Sequence, residues 1–540
     1  MLIDGRSVAP DQQFPVTVCV VGSGPAGIAV AQSLCAEGVS VALVESGGMD
    51  PELATQLLYK GRNVGHPYFG LDGCRYRMFG GTSNRWGGWC RPLDPFDYEK
   101  RDWVPNSGWP ITEQDVRPYY AEAARLLELS GADFDAPAWQ DRLGPSYAWE
   151  GSDFENAIFQ YSPQTNFAEV HGPALLAAPN VTIFLHANVT DLLLDAGTDR
   201  IGTVVVRALG REPFYLKPQV VVLAAGGLEN ARLLLTARSQ RPAGLGNEHD
   251  VVGRYFQEHV HVPGGHLVVK DPSKAAGFYS ETVTGSGTAR GVIAASPQAQ
   301  AEHKMVACSI SVEQSSFYYG TPFLGWPARV YLPPVRMYRQ LGRSSAARWG
   351  ERARRRVDDT FYRTLFWKTK QVALEAAGRH GVAVDDTVRS LYFRAEQVPD
   401  PASRVALDER RDALGIQRIT LDWRVNATDL DAVTGWVARL SSTVRERGIG
   451  EVIPPADGWE KKVIGGPHHL GTTRMSDTPA TGVVDRNCRV HSVDNLYVAG
   501  SSVFTTGGYA NPTFTLVALA LRLAKHVAAD LRPATVVGRP

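Results

Sequence analysis

Residues Gly22-Ser23-Gly24-Pro25-Ala26-Gly27 form a G-x-G-x-x-G run, and Glu45 lies 45 − 24 = 21 residues beyond the second glycine. Glycines at this spacing suit the cradling of a pyrophosphate. Gly22 permits a tight turn, Gly24 lets phosphate approach the backbone, and Gly27 lets a helix pack closely on the preceding strand. The helix N-terminus then presents free N–H groups and the positive end of its dipole. Ser23 and Ala26 complete the turn, and Glu45 is placed to accept hydrogen bonds from ribose hydroxyls.

Such a motif carries weight only between a strand and a helix. VTVCVV (16–21) is an apolar, β-branched run that reads as a buried parallel strand. A helix pattern follows through Ile28–Ala36, and a second strand, Val39–Val44, ends at Glu45. Ser46-Gly47-Gly48 follows at once, as in flavoproteins where the chain turns beside the adenosine. Val220–Ala224 reads as another buried strand, running into AAGGLENARLLL (224–235), a glycine turn and a helix. Together with a late return of the chain to the dinucleotide domain, these features favour FAD over NAD.

Between these elements, MFGGTSNRWGGWCRP (78–92) is too rich in Gly and Trp for a regular helix and reads as an ordered loop near a ligand. Residues 114–129 read as a polar-faced helix, and Val181–Leu185, Val189–Leu194 and Ile201–Arg207 as strands of a small sheet. The stretch 254–440 is rich in aromatics: Phe278, Tyr279, Phe317, Tyr318, Tyr319, Trp326, Tyr331, Tyr338, Phe366 and Trp367. Core and pocket lining are both open for them. ERARRRVDD (351–359) reads as a solvated helix face. DNLYVAG (494–500) is a strand closing on glycine, and Phe514–Val527 an apolar helix. The expected fold is α/β: a Rossmann-type FAD-binding domain with a parallel sheet, plus a second domain with a mostly antiparallel sheet covered by helices. The expected segments are 1–253 (FAD-binding, flavin loop 78–92), 254–440 (substrate-binding) and 441–540 (returning to the FAD-binding domain).

Lys+Arg and Asp+Glu both number 56, which removes any global electrostatic case for nucleic acid or an anionic membrane. The six cysteines include no C-x-x-C pair, which argues against zinc, an iron–sulfur centre and disulfide-reductase chemistry; no metal is expected. The N-terminus lacks a basic start and an apolar core, and the apolar runs fall short of a membrane span. A cytoplasmic protein is expected, with an oligomer left open.

The densest signal is GGPHHLGTTRMS (465–476), followed by DNLYVAGSSVFTTGGYANPTFTLVALALRLAKHV (494–527). This resembles the glucose–methanol–choline (GMC) oxidoreductase family, in which a His three residues before Gly-Thr pairs with a later His or Asn before Pro-Thr. Here those residues are His468 and Asn511, with 511 − 468 = 43. GSGPAG, GGTSNRWGG and VVGRYFQEH (251–259) carry the resemblance over nearly the whole chain. GTTRM, the His–Asn pairing and the flavin loop look most like the pyranose oxidase and bacterial glycoside 3-oxidase branch. The resemblance implies FAD contacts from Gly22, Ser23, Gly24, Ala26, Gly27, Glu45, Ser46, Gly81, Thr82, Ser83, Asn84, Trp86, Val189, Ala225, Gly500, Ser501, Pro512 and Thr513. Fungal pyranose oxidases link FAD covalently through a loop His. Arg85 stands there, and a guanidinium is a poor nucleophile, so non-covalent FAD is expected. Gly500-Ser501-Ser502 also departs from relatives that carry an Asp near the first position.

The implied reaction oxidises an alcohol, as a secondary alcohol of a sugar or glycoside to a ketone. Neutral imidazole suits a base at physiological pH. His468 takes the hydroxyl proton, Asn511 holds the substrate oxygen, and flavin N5 accepts the hydride. His469 is the rival base. Gln257 and His259 fall in a segment that the family places near the flavin, and Glu396 and Gln397 are placed to reach substrate from a central strand. Oxygen or another acceptor would reoxidise the flavin. A non-sugar alcohol, such as a secondary-metabolite hydroxyl, is the alternative substrate, and a flavin subunit without chemistry is the non-enzymatic alternative.

Overall fold

The computed structural model describes residues 1–163, 166–285, 287–314 and 387–532. The aromatics from Phe317 to Trp367 and the basic stretch 351–359 lie outside the described residues. The apolar run before the glycine motif extends into a nine-residue strand, Gln13–Val21, whose last four residues are buried. Its neighbours in the sheet are Val41–Val44 on one side and Phe214–Leu223 on the other, both parallel. The full order is Leu2–Asp4, Val181–Leu185, Val41–Val44, Gln13–Val21, Phe214–Leu223, Ile201–Arg207, Asn188–Leu194. Val181–Leu185 was expected in a separate small sheet. It instead pairs in parallel with Val41–Val44, because four of its five residues are buried and it needs cover on both faces. Ile201–Arg207 and Asn188–Leu194 join the same sheet as an antiparallel hairpin.

Leu496–Val498 pairs in parallel with Val221–Leu223, next to where the hairpin pairs with Phe214–Leu216. The chain thus returns to the sheet near its centre. Pro25–Ala36 forms the helix after the glycine turn, and Thr513–Asp530 packs against it. The stretch 114–129 is less regular than expected. Two 3-10 turns precede a short helix, Tyr120–Leu126, because Pro118 lacks the N–H that a helix interior needs.

The second sheet is antiparallel throughout. Its order is Gly450–Ile453, Val260–Val269, Val388–Ala395, Cys308–Gln314, Gly287–Ala295, Phe154–Tyr161, Trp89–Cys90. Strands from all three expected segments contribute, so sheet membership crosses the boundaries at 253 and 440. Each sheet has its own apolar core. Phe278 and Tyr279 are fully buried in the second core.

The glycine turn shows how close the packing is. A Cβ on Gly27 would lie 1.9 Å from the Gly22 carbonyl oxygen, and one on Gly22 would lie 2.6 Å from that of Ala224. Gly27→Ala should therefore push helix Pro25–Ala36 off its strand at a cost on the order of 3 kcal/mol. The expected result is a lower thermal midpoint and loss of bound flavin absorbance. A variant that melts with wild type and purifies yellow would contradict this packing account.

Candidate active site

Strands Gln13–Val21, Val41–Val44, Phe214–Leu223 and Leu496–Val498 run parallel, so their carboxyl ends share one edge, where open α/β sheets bind ligands. A Cβ on Gly24 would meet nothing within 4 Å, nor would one on Gly226. Gly500 would meet only the Ala26 Cβ, at 3.9 Å, and its φ of 114° demands glycine. Three turns thus leave space where a nucleotide backbone would lie. The flavin loop closes over them: Gly80 N donates to Ser23 Oγ at 3.2 Å, and a Cβ on Gly81 would sit 2.9 Å from the Gly24 Cα.

Glu45 is buried at the end of its strand, but its oxygens already have donors. Ser23 N and Oγ donate to Oε2 at 3.1 and 2.7 Å, while Ser46 Oγ and Gly47 N donate to Oε1 at 3.1 and 2.8 Å. A carboxylate offers about four lone-pair sites. A ribose hydroxyl would have to replace one of the serine hydroxyls. Val189 is half-buried at the start of a strand that Ala187 N ties to the Glu45 carbonyl at 2.9 Å. Ala225 N donates to Asn230 Oδ1 at 2.8 Å, and Asn230 Nδ2 donates to Ser502 Oγ at 3.0 Å, joining the second glycine turn to the third. Asn230 was not foreseen.

In the flavin loop, Ser83 is buried and its hydroxyl accepts from Phe167 N at 3.3 Å, while Thr82 and Arg85 are exposed. Arg85 lies over the Tyr76 ring at 5.1 Å. Trp86 Nε1, Asn84 Oδ1 and Asn511 Oδ1 are buried polar atoms without a partner among the described residues. Open glycine cradles and waiting polar atoms fit a bound FAD. Pro512 and Thr513 begin the helix that runs back from the site.

The His468 segment is irregular and wedged between the two halves of the molecule. On one side Leu470 bridges to Gln257, and Ile464 to His261. On the other, Thr473 N donates to Ser502 O and Met475 N to Val503 O, both at 2.8 Å. Asn511 Nδ2 lies 3.1 Å from His468 Nε2, and His259 Nδ1 lies 2.8 Å from His468 Nδ1. Burial holds the His468 imidazole well below its ordinary pKa, reinforced by like charge at His259, His261, Arg394 and His469. His259 is lowered to about 4 by burial and Arg394. His468 is therefore neutral at physiological pH.

His469 points the other way. It is packed between the rings of Tyr68 and Phe256, its Nε2 is 2.9 Å from Tyr68 Oη, and burial followed by Arg75 lowers it to about 3. Gln257 is buried with Nε2 donating to Thr505 O at 3.2 Å. Glu396 and Gln397, expected to reach substrate from a central strand, are both buried. Glu396 is fully buried in a two-pronged pair with Arg101 at 2.6 and 2.8 Å. Gln397 Oε1 accepts from Glu258 N at 3.0 Å and from Trp423 Nε1 at 2.9 Å. The strand does run to the site, but buried donors claim both side chains.

Glu258, Tyr68 and His261 were missed. Glu258 Oε2 accepts from Gly466 N at 3.0 Å and His468 N at 2.9 Å, and Oε1 accepts from Tyr68 Oη. Burial raises this carboxyl to about 7 against those three donors. The signal was period two: in an extended chain Gln257, His259 and His261 share one face and Glu258 takes the other.

A dinucleotide turn, a second glycine turn and a neutral imidazole joined to a carboxamide fit an FAD-dependent oxidoreductase acting on alcohols. Residues 399–520 match the GMC oxidoreductase family, and residues 15–52 match the FAD binding domain. The chain is 23% identical to 2-methyl-1,2-propanediol dehydrogenase of Mycolicibacterium austroafricanum, covering 94% of each chain. It is 26% identical to 6'''-hydroxyparomomycin C oxidase of Streptomyces lividus, over 95% of this chain and 92% of that one. A stretch spanning 25% of this chain is 33% identical to 26% of C-glycoside 3-oxidase of Arthrobacter globiformis. The chain is thus similar to GMC oxidoreductases, through residues 399–520 in the family match and over nearly its whole length in these relatives. No helix among the described residues is long and apolar enough to cross a membrane.

Glu258→Leu removes the acceptor of two backbone N–H groups that hold the His468 loop. Leaving those groups unpaired costs about 2–4 kcal/mol. A lower midpoint in chemical denaturation, with flavin still bound before the transition, is expected. An unchanged midpoint would show that the loop does not depend on this carboxyl.

Proposed function

We propose that the enzyme oxidises a secondary alcohol of a sugar or glycoside to the ketone, with His468 as the base. The observation that carries the reading is the contact between His468 Nε2 and Asn511 Nδ2 beside a neutral imidazole. A substrate hydroxyl placed between the two nitrogens would donate its proton to Nε2 while its oxygen accepts from Nδ2. Asn511 would thereby fix the carbinol in one orientation, which limits the conformations lost at the reacting step. FAD, when bound, supplies the acceptor for the carbinol hydride. Burial of the pocket excludes water and keeps His468 unprotonated.

The sugar or glycoside class draws support from relatives named for an aminoglycoside and a C-glycoside. The relative named for a diol supports the second reading, a smaller non-sugar alcohol. Exposed Arg85 in the flavin loop supports non-covalent FAD, since a guanidinium is a poor nucleophile. Six unpaired cysteines, five of them buried, accord with a reducing compartment, and we place the enzyme in the cytoplasm on that basis.

Anaerobic mixing with a panel of glycosides, free sugars and small diols tests the reading. Glycosides or sugars should bleach the flavin fastest, and diols leading the panel would favour the second reading. His468→Ala should slow reduction by about 10²–10⁴-fold, and Asn511→Ala by less. A His468→Ala protein reduced at the wild-type rate would end the assignment. Because the folded pKa of His468 lies below its ordinary value, the neutral form persists as pH falls. The reduction rate should stay flat from pH 8 down through 6.5, and an acid limb above 6.5 would contradict the depressed pKa.

A further inference from the structure

The proton that His468 does not carry at Nε2 must be kept at Nδ1, and a second histidine sits opposite that atom. His259 Nε2 lies 3.3 Å from the carbonyl oxygen of Gly507, and a carbonyl can only accept. His259 therefore bears its proton on Nε2. A neutral imidazole has one N–H and one lone pair, so His259 Nδ1 is an acceptor. His468 Nδ1, at 2.8 Å from it, must then be the donor. That leaves Nε2 of His468 unprotonated, its lone pair accepting from Asn511 Nδ2 at 3.1 Å until a substrate hydroxyl takes that place.

We propose that His259, anchored by the Gly507 carbonyl, is a positioning residue that locks His468 in the Nδ1–H tautomer and so keeps Nε2 ready as a base. The inference rests on the reading of His468 as base. When the substrate hydroxyl loses its proton to Nε2, His468 becomes an imidazolium with both nitrogens protonated. Its Nδ1–H remains donated to the His259 lone pair, so no proton has to leave the pair during the step. Gly507 holds this geometry through its backbone. Its carbonyl lies in the Thr505–Asn511 stretch that also delivers Asn511, so acceptor and orienting amide come from one piece of chain.

The surroundings favour a neutral acceptor here. The groups facing His468 are His259 and His261 from the start of strand Val260–Val269, Arg394 from strand Val388–Ala395, and neighbouring His469. Asn511 faces it from the approach to helix Thr513–Asp530, and the carboxyl of Glu258 lies beneath its backbone N–H. Arg394 Nε donates to His261 Nε2 at 3.2 Å, and Glu396 lies near enough to act on His259. A carboxylate at 259 would add an opposite charge directly against His468 and favour its protonated form.

The test uses holoenzyme with ¹⁵N-labelled histidine and three variants, His259→Phe, His259→Asn and His259→Asp. In wild type the His468 ring, identified by its loss in His468→Gln, should show the Nδ1–H tautomer. An Nε2–H tautomer there would overturn the proposal. His259→Phe should retain FAD, keep substrate affinity within a few fold, and slow anaerobic flavin reduction roughly 10- to 100-fold. His259→Asn places an acceptor oxygen at the same branch point and should recover most of that loss. His259→Asp should keep the tautomer but move the acid limb of the reduction rate upward in pH. If the Phe variant reduces flavin at the wild-type rate while His468→Ala does not, the positioning role is wrong and the base assignment stands. If His468→Ala also reacts normally, the base assignment itself has failed. Should the Phe variant lose its flavin, the tautomer spectrum and the pH profile of the Asp variant decide.

Discussion

The seating of one irregular segment, residues 464–476, between two sheets of different architecture is the constraint on which the site depends. Backbone bridges from Ile464 and Leu470 tie it to the chain entering the antiparallel sheet. Hydrogen bonds from Thr473 and Met475 tie it to the chain leaving the parallel sheet. A regular helix at this position would satisfy most of its own backbone and need neither neighbour. Because this segment cannot, its position is set by both halves at once. His468 consequently meets Asn511 from one half and His259 from the other.

That arrangement explains why charge is so carefully placed near the imidazole. A buried carboxylate beneath the loop accepts from its backbone and from Tyr68, not from the ring. Among the described residues, the ring's polar contacts are to nitrogen: His259, with His261 beside it, and the Asn511 amide. Glu396, near enough to act on His259, is held by Arg101. In a low-dielectric interior, an anion against the ring would hold the proton that the reaction must accept anew at each turnover.

The dinucleotide half was legible in the chain because its signals are local. Gly22, Gly24 and Gly27 fall between a β-branched run and an apolar helix; Gly22 and Gly27 have a steric reason to be glycine, and Gly24 faces open space. His468 and Asn511 were reachable only through family resemblance, since the fold brings them together across 43 residues. Three features escaped for different reasons. Glu396 and Gln397 directly follow strand Val388–Ala395, and only coordinates reveal that Arg101, Glu258 and Trp423 occupy them. Glu45 has the expected place, yet two serines and a backbone amide fill its acceptor sites. Sheet membership crosses the linear boundaries because antiparallel pairing recruits Trp89–Cys90 and Gly450–Ile453 from far along the chain, which hydrophobic pattern alone does not encode.

The loop at 78–92 begins against the glycine turn and ends as a strand of the opposite sheet. It is a strap stitched at both ends, drawn across the mouth through which a dinucleotide would pass. A dinucleotide lying on the glycine turns would have a loop against it that both halves of the molecule hold. A cofactor bound there would act as a keystone between the two halves, its release coupled to local opening of the polypeptide.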